Sequence, residues 1–187
     1  MKKWLFVSIL AIGFFAIVAH AQQPNSVIDL MLKSYSSRNF TTEQVSNSDI
    51  ELILKCGIKA PSASNAQPWR FTVVRDLAIM QQMIGNSVVQ GNVLILVSGL
   101  ESRSTVDYDC GLATENMAVA ATSLGLGQRI YTGPIANINS NMKQTLQIPE
   151  GYKAVAVLRV GNIEKNVDAV SAASPRKNYE EVVNFLR

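Results

Sequence analysis

Histidine is almost missing from this chain: of 187 residues only His20 is one. His20 lies in the N-terminal segment expected to be cleaved, and a mature chain without an imidazole runs no Ser-His-Asp or Cys-His mechanism; two cysteines do not replace the ligands of the usual zinc site. If the protein is an enzyme, its chemistry comes from an organic cofactor, and the polypeptide supplies position and electrostatics. A surplus of charge is missing too. Seventeen basic against 14 acidic side chains give +3, and without Lys2 and Lys3 the balance is nearly neutral. Nothing in that balance points to nucleic acid. A dinucleotide fingerprint is also lacking. Gly125-Leu126-Gly127 reads as the glycine-rich end of a helix, with no strand before it.

The apolar run from Trp4 to Val18 is short for a membrane span of roughly 20 residues. It follows Lys2-Lys3 and precedes Ala19-His20-Ala21, the n-region, h-region and A-x-A order of a cleavable signal peptide. Residues 1–21 are therefore expected to be a signal peptide, leaving one domain over 22–187 and an exported, periplasmic or secreted, protein. An uncleaved N-terminal anchor is the alternative. No cysteine follows the run to carry a lipid, and no Arg-Arg pair precedes it. Cys56 and Cys110 lie in helical patterns beside small residues, where a cysteine packs as a small buried hydrophobe. A disulfide between them remains possible in an oxidising compartment.

What the chain does have is the segment Ala60-Pro61-Ser62-Ala63-Ser64-Asn65-Ala66-Gln67-Pro68-Trp69. Each proline pushes the residue before it toward extended geometry. Small side chains let a flat ligand approach the backbone, and the amides of Asn65 and Gln67 offer donors and acceptors together. Trp69 reads as the anchor of this loop in the core. Around it, periodicity predicts a helix at 26–33 and another opened by a capping box at Ser48-Asp49-Ile50-Glu51. Strands are expected at 70–75, 93–97 and 154–160, with the middle one covered on both faces. Further helices are expected at 77–84, 107–124, 137–146 and 179–186. The pattern is α+β: several helices around a small mixed or antiparallel sheet.

Two other polar clusters join the loop: Ser34 to Arg38, and Pro175-Arg176-Lys177. Hydroxyls with an arginine suit a phosphate, because guanidinium and phosphate match in charge and fork geometry. Taken singly, Arg38 and Arg176 also read as ordinary solvated charges.

The order of these clusters resembles the nitroreductase family of flavoproteins. It runs Ser36-x-Arg38-x-Phe40, then Pro61-Ser62-x-x-Asn65-x-Gln67-Pro68-Trp69, then Gly111-x-x-x-x-Asn116-Met117. Leu124-Gly125-Leu126-Gly127 and Ser174-Pro175-Arg176-Lys177 complete it. The resemblance covers about residues 28–185 and implies an intertwined homodimer with FMN in the subunit interface. It places Ser36 and Arg38 on the FMN phosphate, joined by Arg176 and Lys177. It places Ser62, Asn65 and Gln67 on the flavin of the partner subunit, and Tyr131, Thr132 and Gly133 along the flavin ring. One departure stands out: the family often opens the phosphate motif with Arg-Arg-Ser-x-Arg, and here Ser34 and Tyr35 hold the first two positions. The implied activity is hydride transfer from NAD(P)H or another donor to a nitroaromatic, quinone or related electron-poor acceptor. The alternative is an exported flavin-binding protein with little nicotinamide-dependent turnover.

Overall fold

The computed structural model describes residues 26–164, 166–167 and 176–186. The expected signal peptide, Ser174 and Pro175 lie outside them. Four strands form one antiparallel sheet: β1 (Trp69–Val74), β2 (Val93–Leu100), β3 (Gly127–Tyr131) and β4 (Tyr152–Gly161), in the order β1-β2-β4-β3.

Side chains of a strand alternate between faces, so the unbroken apolar run of β2 demands cover on both sides. Val93, Ile95 and Val97, with Leu158 and Val160 of β4, pack against α2 (Asn47–Ile58) and α4 (Val106–Ser123). Leu94, Leu96 and Val157 pack on the other side against α3 (Leu77–Ile84) and α5 (Ile135–Asn141). The architecture is α+β, with helices on both faces of a four-stranded sheet.

The α4 layer lies unusually close to the sheet. A Cβ built on Gly99 of β2 would collide with Val106 and come within 2.7 Å of the Cys110 sulfur. One on Gly57 of α2 would stand 2.7 Å from Met117 Cγ. Glycine at both positions lets three elements meet without an intervening side chain.

Several expectations need correction. The sheet has four strands rather than three. β3 escaped because Gln128 and Arg129 interrupt its apolar character, and it follows directly on the glycines that end α4. Helix α2 is capped by Ser46, whose hydroxyl accepts the Asp49 N–H at 3.0 Å. Ser48 does not cap it and instead lies 2.9 Å from the Ser46 hydroxyl. The helix expected at 137–146 begins earlier and ends at Asn141. The last helix, α6 (Tyr179–Val182), stops after one turn rather than reaching Leu186. A capping box at Asn178 and Glu181 starts it, but so short a helix with no buried face cannot propagate. The first helix, α1 (Ser26–Lys33), also buries nothing, and Val27, Ile28, Met31 and Leu32 all face outward. Among the described residues no helix is long and apolar enough to cross a membrane.

Both cysteines are free thiols; Cys110 is buried as expected, whereas Cys56 is exposed beside the buried face of α2. Burial, then the carboxylates of Asp107 and Asp109, push the Cys110 thiol up from 9.0 to about 12. At pH 8 iodoacetamide should therefore label Cys56 and spare Cys110 until the protein is unfolded, as mass spectrometry of the two peptides will show. Between pH 9 and about 12 the folded state keeps a proton that the unfolded chain releases, so stability falls as pH rises through that window. Cys110→Ala should flatten that alkaline decline.

Candidate active site

The segment from Ser34 to Thr41 runs beside the outer strand β3. Ser37 donates its N–H to the Gln128 carbonyl at 2.8 Å, and Gln128 Nε2 returns a bond to the Tyr35 carbonyl at 3.0 Å. Gly127 makes the approach possible, since a Cβ there would clash with Ile163 and lie 3.0 Å from Ser37 Oγ. Ser37 is consequently buried, and its neighbour Ser36 is turned outward. Ser34, Tyr35, Ser36, Gln128, Glu115 and Arg176 help line a polar cavity of about 260 Å³. The first and last of the sequence-predicted phosphate clusters thus meet in space. Arg38 and Lys177 are exposed and stand outside this wall. Glu115 brings a carboxylate to it.

A second, largely apolar cavity of about 500 Å³ adjoins the first, because Ile130 stands in both walls. Gly111 and Thr114 of α4 line it, with Thr132 and the stretch Ala154 to Ala156. Val155 is the extra residue of a β-bulge, since Val97 faces Ala156 while the next residue, Ser98, faces Ala154. Bulges re-aim side chains where a sheet borders a site. Asn139 clamps the bulge, accepting the Ala154 N–H at 2.7 Å and donating to the Ala154 carbonyl at 3.1 Å. A Cβ on Gly111 would meet nothing within 4 Å, so that wall is open. Lys153 and Asp107 form an ion pair of 2.8 Å in the same lining.

Of the three residues expected along a ring, Thr132 lines this cavity and Gly133 is exposed beside it. Tyr131 points the other way. Strand alternation sends its ring to the α3–α5 face, under the Arg129 guanidinium at 4.9 Å. On that face Arg159 is buried over the Phe40 ring at 3.9 Å and bonded to Asn92 Oδ1 and the Ser87 carbonyl, both at 2.9 Å. Burial pushes its pKa below the ordinary arginine range, and the neighbouring Tyr131 opposes that shift.

The loop at 60–69 carries backbone strain. Ser64, Asn65 and Gln67 have φ of 54°, 53° and 47°, a region that costs residues other than glycine about 1–3 kcal/mol each. Gln67 N–H bonds to Ser62 Oγ at 2.9 Å, and Gln67 Nε2 to Asn65 Oδ1 at 3.2 Å. Trp69 is buried and stacked on Phe71, with ring centroids 6.4 Å apart, so it anchors the loop. The Ala63 N–H reaches Asp109 Oδ1 at 2.9 Å. Asp107 and Asp109 are about 200° apart around the helix axis, so the loop and the apolar cavity lie on opposite sides of the start of α4. Ser62, Asn65 and Gln67 stand in neither cavity wall; Gln67 instead borders a separate groove with Leu54, Ile58 and Phe71.

Sequence reasoning passed over Gln128, Ile130, Lys153, Asn139 and Asp109. The first two lie on the missed strand. Asp109 in the first turn of a helix reads as an ordinary favourable charge near a helix N-terminus, and nothing local reveals its partner 46 residues away.

The model of the nitroreductase family matches residues 32–88 and 86–162. A protein of Archaeoglobus fulgidus named as an NADH dehydrogenase/NAD(P)H nitroreductase is 35% identical over 138 residues, covering 67% of this chain and 79% of its own. Among solved structures, a nitroreductase of Desulfovibrio desulfuricans in complex with FMN superposes with a TM-score of 0.76 at 28% identity. It covers 87% of this chain and 98% of its own. An NADH dehydrogenase/NAD(P)H nitroreductase of Bacteroides thetaiotaomicron gives 0.74 at 26% identity, over 86% and 97% of the two chains. The chain belongs to the nitroreductase family.

The Gln128 bridge is open to test. Gln128→Leu leaves the Tyr35 carbonyl without its donor, a loss of about 1–3 kcal/mol in urea unfolding. The same change at exposed Gln82 should stay within about 0.5 kcal/mol.

Proposed function

We propose that this protein is an FMN-dependent oxidoreductase. It takes electrons from NAD(P)H or another donor and delivers them to a nitroaromatic, quinone or related electron-poor ring. The observation that carries this reading is the pair of adjoining cavities, one polar and one apolar, joined at Ile130. The polar one suits a phosphate: the Ser34 and Ser36 side chains and Arg176 supply hydroxyls and a guanidinium. The apolar one falls within the roughly 300–1,000 Å³ range of small-molecule sites.

Bound there, FMN supplies hydride chemistry that requires no protein acid or base in the transfer itself, in keeping with a chain whose single histidine is His20. The polypeptide's work is then to hold and to shield. Ser36 and Arg176 fix the phosphate, with Arg38 and Lys177 adding positive charge near them in sequence. Ile130 and Ala156 form apolar walls, Gly111 leaves room for a flat ring, and Thr132 brings a hydroxyl to the same space.

The reading includes a homodimer in which Ser62, Asn65 and Gln67 reach the flavin of a second copy. Three features support this. The loop stands outside its own cavity walls, α1 has no buried residue, and the C-terminal segment exposes Tyr179, Val182, Phe185 and Leu186. Export through the signal peptide rests on Lys2-Lys3, the apolar run and Ala19-His20-Ala21. It is tested by the N-terminal sequence of the protein recovered outside the cytoplasm.

Protein lacking residues 1–21 should take up FMN. Anaerobic NADH or NADPH should bleach the flavin, and a quinone or nitroaromatic should restore its colour. Tight FMN binding with no reduction by either nicotinamide would favour the flavin-binding alternative, and no FMN uptake would overturn both. Arg176→Met removes a charge-assisted contact of about 1.5–3 kcal/mol, so the FMN Kd should rise roughly ten- to hundredfold. Fluorescence titration measures it.

A further inference from the structure

Asp109 is a fully buried carboxylate that lines neither cavity. Both of its oxygens are committed. Oδ1 accepts the Ala63 N–H at 2.9 Å, and Oδ2 accepts the Thr105 hydroxyl at 2.8 Å. The other end of Ala63 is held as well, since Arg103 Nη2 donates to its carbonyl at 3.3 Å. One small residue is therefore gripped at its donor by an anion and at its acceptor by a cation. Hydrogen bonds of this charge-assisted kind are about twice as strong as neutral ones.

Ala63 stands directly before the left-handed residues Ser64, Asn65 and Gln67. Such conformations persist only where the surroundings over-determine them. The bonds from Gln67 to Ser62 and Asn65 tie the loop only to itself. The grip on Ala63 ties it to the first turn of α4, the same turn whose Asp107 pairs with Lys153 in the cavity lining.

We propose that Asp109 is a positioning residue of the flavin site. It fixes the strained loop to α4 so that Ser62, Asn65 and Gln67 are presented ready-made to the flavin of the second copy. The part that concerns the flavin rests on the function proposed above. The part that concerns the loop does not.

Three variants of the full-length protein separate the possibilities. Asp109→Ala deletes the acceptor. Asp109→Asn keeps an oxygen for the Ala63 N–H and turns an amide toward the Thr105 hydroxyl, which is able to accept. Ala63→Pro removes the donor and leaves Asp109 in place. Proline fits there because Ser62 is already extended, at φ −146° and ψ 155°.

In the FMN-free protein, limited proteolysis should cut between residues 62 and 67 several-fold faster in Asp109→Ala and Ala63→Pro than in the wild type, with Asp109→Asn close to wild type. FMN titration should follow the same order. The Kd should rise about tenfold or more for Asp109→Ala and Ala63→Pro, stay within about threefold for Asp109→Asn, and show a changed flavin absorption band only in the first two. Far-UV circular dichroism identifies a variant that has not folded, and the two remaining variants then decide. Unchanged cleavage in whichever of Asp109→Ala and Ala63→Pro fold overturns the proposal, as does a loss in Asp109→Asn equal to that in Asp109→Ala or, where that variant has not folded, to that in Ala63→Pro. A wild type that binds no FMN refutes the function reading instead, while the cleavage rates still decide whether Asp109 positions the loop.

Discussion

The rest of the site depends on how closely α4 lies on the sheet. Gly99 and Gly57 remove the side chains that would hold it off, and Ala113, Ala118 and Ala121 keep the packed face of the helix shallow. A core packed this tightly tolerates little added volume, and overpacking typically costs about 1–3 kcal/mol. α4 thereby distributes its side chains among three places. Asp107, Gly111 and Thr114 reach the apolar cavity, Glu115 the polar one, and Asp109 the strained loop. Asn116 ties the helix to α2 through the Cys56 carbonyl at 3.2 Å.

The charges around the site divide by task. Asp107 and Asp109 sit in the first turn of α4, where helix geometry favours anions, and each is committed to holding another element. On the far face of the sheet, buried Arg159 takes uncharged partners, the Asn92 side chain, the Ser87 carbonyl and the Phe40 ring, with Arg129 opposite it on β3. It joins β4 to the segments around residues 40 and 87 and faces away from the cavities. Asn92 adds a bond from Nδ2 to the Thr41 carbonyl at 3.2 Å, which helps secure the chain entering from Ser36. Few of these groups are placed to move a proton in the cavities, and most are placed to hold backbone.

What was legible in the sequence follows from how local each signal is. Helix α3 and the buried strand β2 were readable because an unbroken apolar run or a 3.6-residue period needs no distant partner to be recognised. Strand β3 was not, since its polar Gln128 is explained only by the Tyr35 carbonyl it meets in space. Tyr131 shows the same limit at finer grain. Its place next to Thr132 was readable, but the face it takes depends on strand parity, and a shift of one residue reverses every side chain. The loop's amides and prolines were readable as a binding surface. Its anchor at Asp109 was not, because that contact joins residues 46 apart in the chain.

The departure at Ser34 and Tyr35 now has a physical setting. Both residues do line the polar cavity, in the positions where the family often carries two arginines, and among the described residues Arg176 is the cation in that wall. Glu115 opposes it with a carboxylate in the same lining. Under the proposed reading, a phosphate there meets hydroxyls and one guanidinium in the wall itself, with Arg38 and Lys177 outside it, so the phosphate end contributes less than a wall of several cations would. Affinity in such a site depends more on how much order exists before the ligand arrives, because side chains and loops frozen on binding subtract from it. A loop already locked in its strained conformation avoids that cost. If the proposed site is right, the weaker phosphate motif and the grip of buried Asp109 on Ala63 belong to one arrangement, in which preorganisation at the ring end compensates for missing charge at the phosphate end.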